Sequence, residues 1–325
     1  MTDRSRVVCT HVVAPRAAGE RLDRWLAARH GAPTRSQIAA DIRAGRVTVN
    51  GRVGKAGERL RGGATVVVEP RSMEAHRGTE PEAIEISVLY EDDEVVAVDK
   101  AAGMVVHPAV GNRSGTLVHA LLHRFPRSRW PGDPERAGIV HRLDRDTSGV
   151  ILVARSLVAH EALSRQFRAR TIEKEYHAIV FGRVLRAGAI DAPIGRHPSD
   201  RKRMSVAARR SRVAVTAYEP IETFREMTLL RVLPHTGRTH QIRVHLAASG
   251  WPILADPIYG RSLRPTTSRG PIGGRASSAL MPRLALHAAR IAFDHPATGR
   301  RMQVRAPRPP DFEAALRVLR RESKG

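Results

Sequence analysis

The spacing of apolar positions changes several times along the chain, and each change marks an element. In Arg21-Leu22-Asp23-Arg24-Trp25-Leu26-Ala27-Ala28 the apolar residues Leu22, Trp25 and Leu26 share one face of a helix. A second helix follows, with Thr34 or Ser36 as its cap, Ile38 and Ile42 four apart on the apolar side, and Gly45 as its stop. Val47-Thr48-Val49 then alternates like a strand and runs into Asn50-Gly51, a tight-turn dipeptide.

Arg71 to Pro81 lacks apolar periodicity and reads as a linker, so a boundary is expected near Glu82. The expected division is a small domain over 18–75, a connector over 76–83 and a larger domain over 84–325. Beyond the boundary, Ile84 to Tyr90 alternates like a strand, Asp92-Asp93 makes a turn, and Val95 to Val98 is a second strand. Val150 to Ala154 is a short apolar run of buried-strand type. Tyr176–Val180, Val213–Tyr218, Thr228–Leu233 and Ala288–Phe293 are strand-like too, while Leu157–Arg168, Thr239–Ala248 and Phe312–Arg320 are helical. This order predicts an α+β domain with a mostly antiparallel sheet. Arg261 to Arg283, rich in Gly, Ser, Pro and Thr, reads as a surface insertion, and Arg196 to Arg212 as a strongly basic loop.

With 42% hydrophobic residues among 325, the chain can build a sizeable core. The 55 Lys and Arg against 32 Asp and Glu give a formal net charge of +23, spread along the chain, which points to a polyanion, nucleic acid ahead of an anionic membrane. Cys9 is the single cysteine, so an intramolecular disulfide and a multi-cysteine metal site are both excluded and a reducing compartment fits. No apolar run approaches the roughly 20 residues that cross a bilayer, and the first residues lack a signal-peptide core. A cytoplasmic protein is expected. No long coiled-coil pattern asks for assembly, so a monomer is expected too.

The sequence holds no Walker phosphate loop, no Gly-x-Gly-x-x-Gly after a strand and no Gly-x-Ser-x-Gly elbow. His235, His240 and His245 recur every five residues. On a helix that spacing turns successive side chains roughly 140° apart, which does not converge on one metal. No metal or other cofactor is expected. The candidate chemistry lies in the polar turn His141-Arg142-Leu143-Asp144-Arg145-Asp146-Thr147-Ser148-Gly149, carried on the Val150–Ala154 strand, where Asp144 and Asp146 are both eligible carboxylates. Lys174-Glu175-Tyr176 and the segment from Pro234 to His245 complete the set.

These three segments resemble the motifs of the RluA family of pseudouridine synthases: His-Arg-Leu-Asp-x-x-Thr-Ser-Gly, Lys-x-Tyr-x-Ala and Thr-Gly-Arg-Thr-His-Gln-Ile-Arg-x-His. The resemblance runs from Val88 to Pro307. Val105-Val106-His107-Pro108, Ile194-Gly195-Arg196-His197-Pro198 and Ala255-Asp256-Pro257-Ile258-Tyr259-Gly260 are closest to its D-type branch, which acts on large-subunit (23S) rRNA. One departure is Asp99-Lys100-Ala101-Ala102-Gly103, where the family usually has Lys-Pro-x-Gly. The Arg-Leu-Asp helix, Thr34-Arg35-Ser36-Gln37 and Ile42 to Gly51 resemble the S4 RNA-binding module, of αL type.

The resemblance implies a cofactor-free isomerisation of uridine in RNA. Asp144 would be the catalytic aspartate, Tyr176 the aromatic residue under the target base and Arg238 the partner of the aspartate. Arg142 would fill the gap left by the flipped base, His141 would help hold the displaced strand, and Leu286 would pack on the base. Whether Asp144 attacks C1′, adds to the pyrimidine or takes the C2′ proton is open at this level. Selecting Asp144 leaves Asp146 a structural position. RNA contacts are implied for Arg35, Arg43 and Arg46, with Arg52 beside them, and the basic loop adds Arg201, Lys202 and Arg203. Two other readings remain: an rRNA-binding assembly factor in which binding is the main role, and a synthase acting on tRNA. A metal-dependent nuclease using Asp144 and Asp146 is more distant.

Overall fold

The computed structural model describes residues 9–28, 35–69, 79–109, 111–126, 128, 130–131, 136–200, 203–260, 266–267, 270–271 and 280–323. The chain divides into two compact units, Met1–Arg77 and Gly78–Gly325. Residues 76–78 of the expected connector, and the expected cap Thr34, lie outside the described residues.

The first unit packs two helices, α1 (Leu22–Ala27) and α2 (Arg35–Arg43), on a four-stranded sheet of β1 (Cys9–Val12), β2 (Val47–Val49), β3 (Arg52–Val53) and β4 (Thr65–Val68), in the order β1-β4-β2-β3. The apolar face read from the sequence is the buried one: Leu22, Trp25, Leu26, Ile38 and Ile42 join Val47, Val49, Leu60 and Val66 in one core. Asn50 and Gly51 both have positive φ, the conformation a two-residue hairpin of this kind needs, and the Asn50 side chain accepts a bond from the Thr65 amide at 2.8 Å.

The second unit is α+β. In chain order it comprises β5 (Ser87–Glu91), β6 (Val95–Lys100), α3 (Leu117–Arg124), β7 (Ser148–Ala154), α4 (Leu157–Ala169), β8 (Glu173–Phe181), β9 (Gly188–Asp191), β10 (Ile194–Arg196), β11 (Met204–Ser205), β12 (Ser211–Arg212), β13 (Val215–Thr223), β14 (Met227–Pro234), α5 (Gln241–Ala248), β15 (Thr266–Thr267), β16 (Gly270–Pro271), β17 (Leu286–Asp294), β18 (Arg301–Arg305) and α6 (Pro310–Glu322). Its main sheet runs β5-β6-β7-β17-β8-β14-β13-β9, with β18 beside β17. Every pairing is antiparallel except β7 with β17. One core forms around β6 and β7 with α3 and α4, and a second around β8 and β14 with α5 and α6; Tyr176 packs against both.

Several expected bounds shift. The basic stretch 196–212, expected as a loop, includes strands β11 and β12 of a small sheet with β10. Helix α5 starts at Gln241 rather than Thr239, because His240 adopts a left-handed conformation (φ 55°, ψ 21°) that no helix interior accepts. Among the described residues no helix is long and apolar enough to cross a membrane.

Candidate active site

The turn that carries Asp144 is pinned from several sides. Leu143 is buried in the first core, and the Thr147 amide closes the turn onto the Asp144 carbonyl at 3.1 Å. The Arg145 carbonyl accepts bonds from the Gly103 amide at 2.9 Å and from Lys100 Nζ at 3.0 Å, and the Asp146 carbonyl accepts from Arg283 at 3.3 Å. At the end of the turn, Gly149 lies in β7 with φ 109° opposite Ala288. A Cβ there would lie 2.2 Å from the Ala288 carbonyl oxygen, so only glycine lets the strand that supports the turn reach β17.

The arginine paired with Asp144 is Arg243, which corrects the assignment of Arg238. Arg243 Nη1 donates to Asp144 Oδ2 at 2.9 Å, while its Nε and Nη2 donate to the two oxygens of Asp256 at 2.8 and 2.9 Å. Arg238 lies before α5, and its Nε donates instead to the Val213 carbonyl at 3.0 Å. The physical reason is the start of α5: the left-handed turn at His240 puts Arg243 in the first turn of the helix, aimed inward, and leaves Arg238 on the preceding loop. Burial would raise the Asp256 carboxyl, but the bonds and charge of Arg243 and the Tyr259 and Ile258 amides outweigh it and hold it below the usual range. The Asp256 side chain is fully buried, Arg243 is 6% exposed and Asp144 is 22% exposed. Asp144 is therefore the accessible end of a buried carboxylate–guanidinium–carboxylate chain.

A second contact comes from His240. The Tyr259 hydroxyl oxygen accepts the Met204 amide at 2.9 Å, which leaves its own proton for His240 Nδ1, also at 2.9 Å. His240 then carries its proton on Nε2, which faces Asp144 Oδ2 at 3.9 Å, outside hydrogen-bond range. Burial lowers the His240 pKa and keeps the ring neutral, with Asp144 opposing that shift.

Strand β8 and the start of β17 bring the remaining residues to this point. Asp144, Tyr176, Leu286, His141, Arg142 and Arg238 all line one open cavity of about 700 Å³. Leu286 is buried, and Arg142 is exposed. Burial and the Asp144 charge both raise the Tyr176 pKa, so its hydroxyl stays protonated. His141 has a task within the fold: its Nε2 accepts the Leu152 amide of β7 at 2.8 Å and its ring lies 4.7 Å from that of Phe167. Burial, with Lys174 adding to it, pushes its pKa down to about 3, so it is a neutral acceptor.

The motif around Arg243 is mostly scaffold. Gln241 Oε1 accepts from the Thr236 hydroxyl at 2.7 Å and the Arg238 amide at 2.9 Å, while its Nε2 donates to the Val215 carbonyl at 3.0 Å and the Thr216 hydroxyl at 2.9 Å. Thr216 therefore donates to His245 Nδ1, and His245 Nε2 donates to the Ala192 carbonyl, each at 2.9 Å. These bonds lock α5 to β13 and so fix the direction of Arg243. Arg243, Asp256, His240 and Tyr259 are the residues that sequence reading did not assign to the site, although all four lie within segments quoted for the resemblance.

The nominated RNA-contacting residues divide. Arg43 is exposed, with Nε on the Ala39 carbonyl, whereas Arg46 bonds twice to the buried carboxylate of Asp41, at 2.9 and 3.1 Å, so its guanidinium is largely committed within the fold. Arg203 lies over the Tyr259 ring, 5.6 Å from its centroid. Arg201, Lys202 and the side chain of Arg35 lie outside the described residues.

Residues 94–248 match the family model for RNA pseudouridylate synthases and residues 20–66 that for the S4 domain. The chain is 43% identical over 310 residues to ribosomal large subunit pseudouridine synthase D of Pseudomonas aeruginosa, covering 94% of this chain and 93% of that one. It is 40% identical over 322 residues to the protein of that name from Escherichia coli K12, covering 97% and 95%. Among solved structures it is similar to human RNA pseudouridylate synthase domain containing 1, with a TM-score of 0.57 and 25% identity over 72% of this chain and 89% of that one. The buried Asp144–Arg243–Asp256 chain beside Tyr176 thus sits in a chain that belongs to the RNA pseudouridylate synthase family, preceded by an S4 domain.

Proposed function

We propose that this enzyme converts uridine to pseudouridine in large-subunit rRNA, with Asp144 as the reactive carboxylate. The observation that carries the reading is the carboxylate–guanidinium–carboxylate chain, whose accessible end, Asp144, opens into the cavity lined by Tyr176 and Leu286. The reaction breaks N1–C1′ and forms C5–C1′; the C5 hydrogen leaves as a proton and N1 takes one up, so the step balances without oxidant or cofactor. Asp144 meets the sugar or base as nucleophile or base, Tyr176 lies under the ring with a protonated hydroxyl, and Leu286 closes the pocket. Arg243 orients Asp144 toward the cavity through a charge-assisted bond to Oδ2. Arg142, exposed at the cavity, fills the stack that the flipped base vacates.

The S4 region over 18–75 docks the RNA, and the exposed Arg43 of α2 is a candidate contact. The large-subunit target is supported by the names of the relatives at 40–43% identity. A monomeric cytoplasmic protein fits a sequence with one cysteine and no long coiled-coil pattern. Replacing Asp144 by Asn tests the chemistry: tritium release from RNA carrying 5-tritiated uridine falls to background while RNA binding persists, and retained release overturns the assignment. Pseudouridine mapping of total RNA from cells with and without the protein tests the target; loss of sites in tRNA alone overturns the rRNA reading.

A further inference from the structure

Residues two apart on a strand share a face. Lys174 and Tyr176 of β8 both line the cavity, about 7 Å apart along the strand. Glu175 between them turns the other way, where Arg290 and Arg231 meet it at 3.0 and 3.4 Å.

The difference in charge balance between the two faces is informative. Arg243, Arg283 and Arg290, little exposed, each hold a carboxylate. Lys174 is half-buried and, among the described residues, makes no ion pair; its Nζ has a long hydrogen bond of 3.4 Å to the Thr236 carbonyl. Burial and the neighbouring charge of Arg170 push its pKa down to about 8, as befits a cation with no counter-anion. A cation held this way costs stability unless an anion arrives. Arg170 itself, exposed at the C-terminal end of α4, lines the same cavity.

We propose that Lys174, assisted by Arg170, seats a backbone phosphate of the nucleotide whose base lies on Tyr176. The strand step between the two side chains matches the separation between a nucleotide's base and its own phosphate group. The inference rests on the proposed isomerisation of a flipped uridine and adds where its backbone is gripped: one strand face holds the base through Tyr176 and the phosphate through Lys174.

The test uses the full chain with Asp144→Asn, so that RNA is bound without turnover, and a short rRNA stem-loop containing a mapped target uridine. One flanking phosphate at a time is replaced by an uncharged methylphosphonate. Neutralising one particular phosphate weakens binding about tenfold or more, Lys174→Gln weakens binding of native RNA by a similar factor, and the two losses do not add. The slope of log affinity against log salt falls by about one in Lys174→Gln, and Lys174→Arg retains the coupling. Unfolding of Lys174→Gln occurs at the same or a higher temperature than that of the parent. Additive losses at every phosphate, or unchanged affinity in Lys174→Gln, overturn the seat. Tritium release by the unsubstituted enzyme on native RNA reports separately on the isomerisation.

Discussion

Arg243 holds Asp144 with one nitrogen, at 2.9 Å, and bonds the fully buried Asp256 with its other two nitrogens. The bidentate half fixes the guanidinium plane. The bond from Nη1 therefore sets the direction of the accessible carboxylate. Left-handed backbone at His240 and Ala255, φ 55° and 57°, flanks the two partners, Arg243 and Asp256. Such strain persists where surrounding structure over-determines it; here the over-determination is the Gln241, Thr216 and Asp256 bond network.

Arg243→Met should abolish function in two ways. It leaves Asp256 buried without a cation, which costs about 3–5 kcal/mol, and it removes the counter-charge of Asp144, which should lower kcat by ~100-fold or more. Arg238→Met, by contrast, removes only a bond to the Val213 carbonyl and should lower activity by less than about tenfold. Tritium-release kinetics and urea unfolding on both variants distinguish them; equal losses of kcat would refute the pairing seen here.

How much of this was legible beforehand depends on where the information lies. Val150 to Ala154 announced β7 because five consecutive apolar residues need a buried strand, and all five are buried. Strand β18, Arg-Met-Gln-Val-Arg, is not among the expected elements although it alternates polar and apolar with Met302 and Val304 turned inward; five residues are too short a run to stand alone, and pairing with β17 holds them. Helix α3 is likewise absent from the expected elements; its capping box uses His119 opposite Thr116 rather than the usual Glu or Gln. At the site, two arginines in one motif could not be told apart, because the choice between them is made by the conformation of His240. Asp256 meets Arg243 from a loop thirteen residues further on, a contact that no local periodicity encodes.

Three histidines should fail to titrate in the ordinary range. Burial pushes His141 down to about 3, and His177 and His287 to about 4. Their folded pKa values lie below the unfolded value of about 6.5, so the unfolded chain binds more protons between about pH 4 and 6.5. Stability therefore rises with pH across that window and is lost on acidification. Ring-proton NMR resonances of the three should not move between pH 8 and 5, and the urea midpoint should climb from pH 5 to 7; a histidine among them titrating near 6.5 would contradict the burial.

Gly149→Ala should damage the catalytic turn from its far end, five residues after Asp144. The added methyl meets the Ala288 carbonyl oxygen at 2.2 Å, with φ at 109°, where β7 and β17 run parallel. Backbone must shift on one side or the other, costing about 2–4 kcal/mol. A lowered unfolding temperature with kcat reduced more than KM is the expected pattern, since Ser148 and the turn before it shift along with β7. An unperturbed unfolding temperature would show that the close approach is relieved at little cost.

Lys100 should link activity and stability to pH in opposite directions. It is fully buried, and its three donors go to the carbonyls of Ala101, Met104 and Arg145 at 2.7, 2.9 and 3.0 Å, the last belonging to the residue after Asp144. Burial pushes its pKa down to about 8; Asp146, Asp144 and Asp99 oppose that, and Arg283 reinforces it. The folded value lies below the unfolded value of about 10.4, so between these limits the unfolded chain binds more protons. The stability contribution of Lys100 thus rises with pH across this window, by up to about 3 kcal/mol. A neutral amine, however, has only two N–H donors for three carbonyls. Above pH 8 one carbonyl loses its partner, the turn loosens, and kcat falls while stability from this group grows. Lys100→Met should remove this contribution to the stability slope, lower kcat at all pH values, and cost about 3 kcal/mol or more at pH 7 through its three orphaned carbonyls. Urea unfolding and kcat measured from pH 7 to 10 on both proteins decide the matter, and a Lys100→Met variant with unchanged kcat would show that the carbonyl clamp does not hold Asp144 in place.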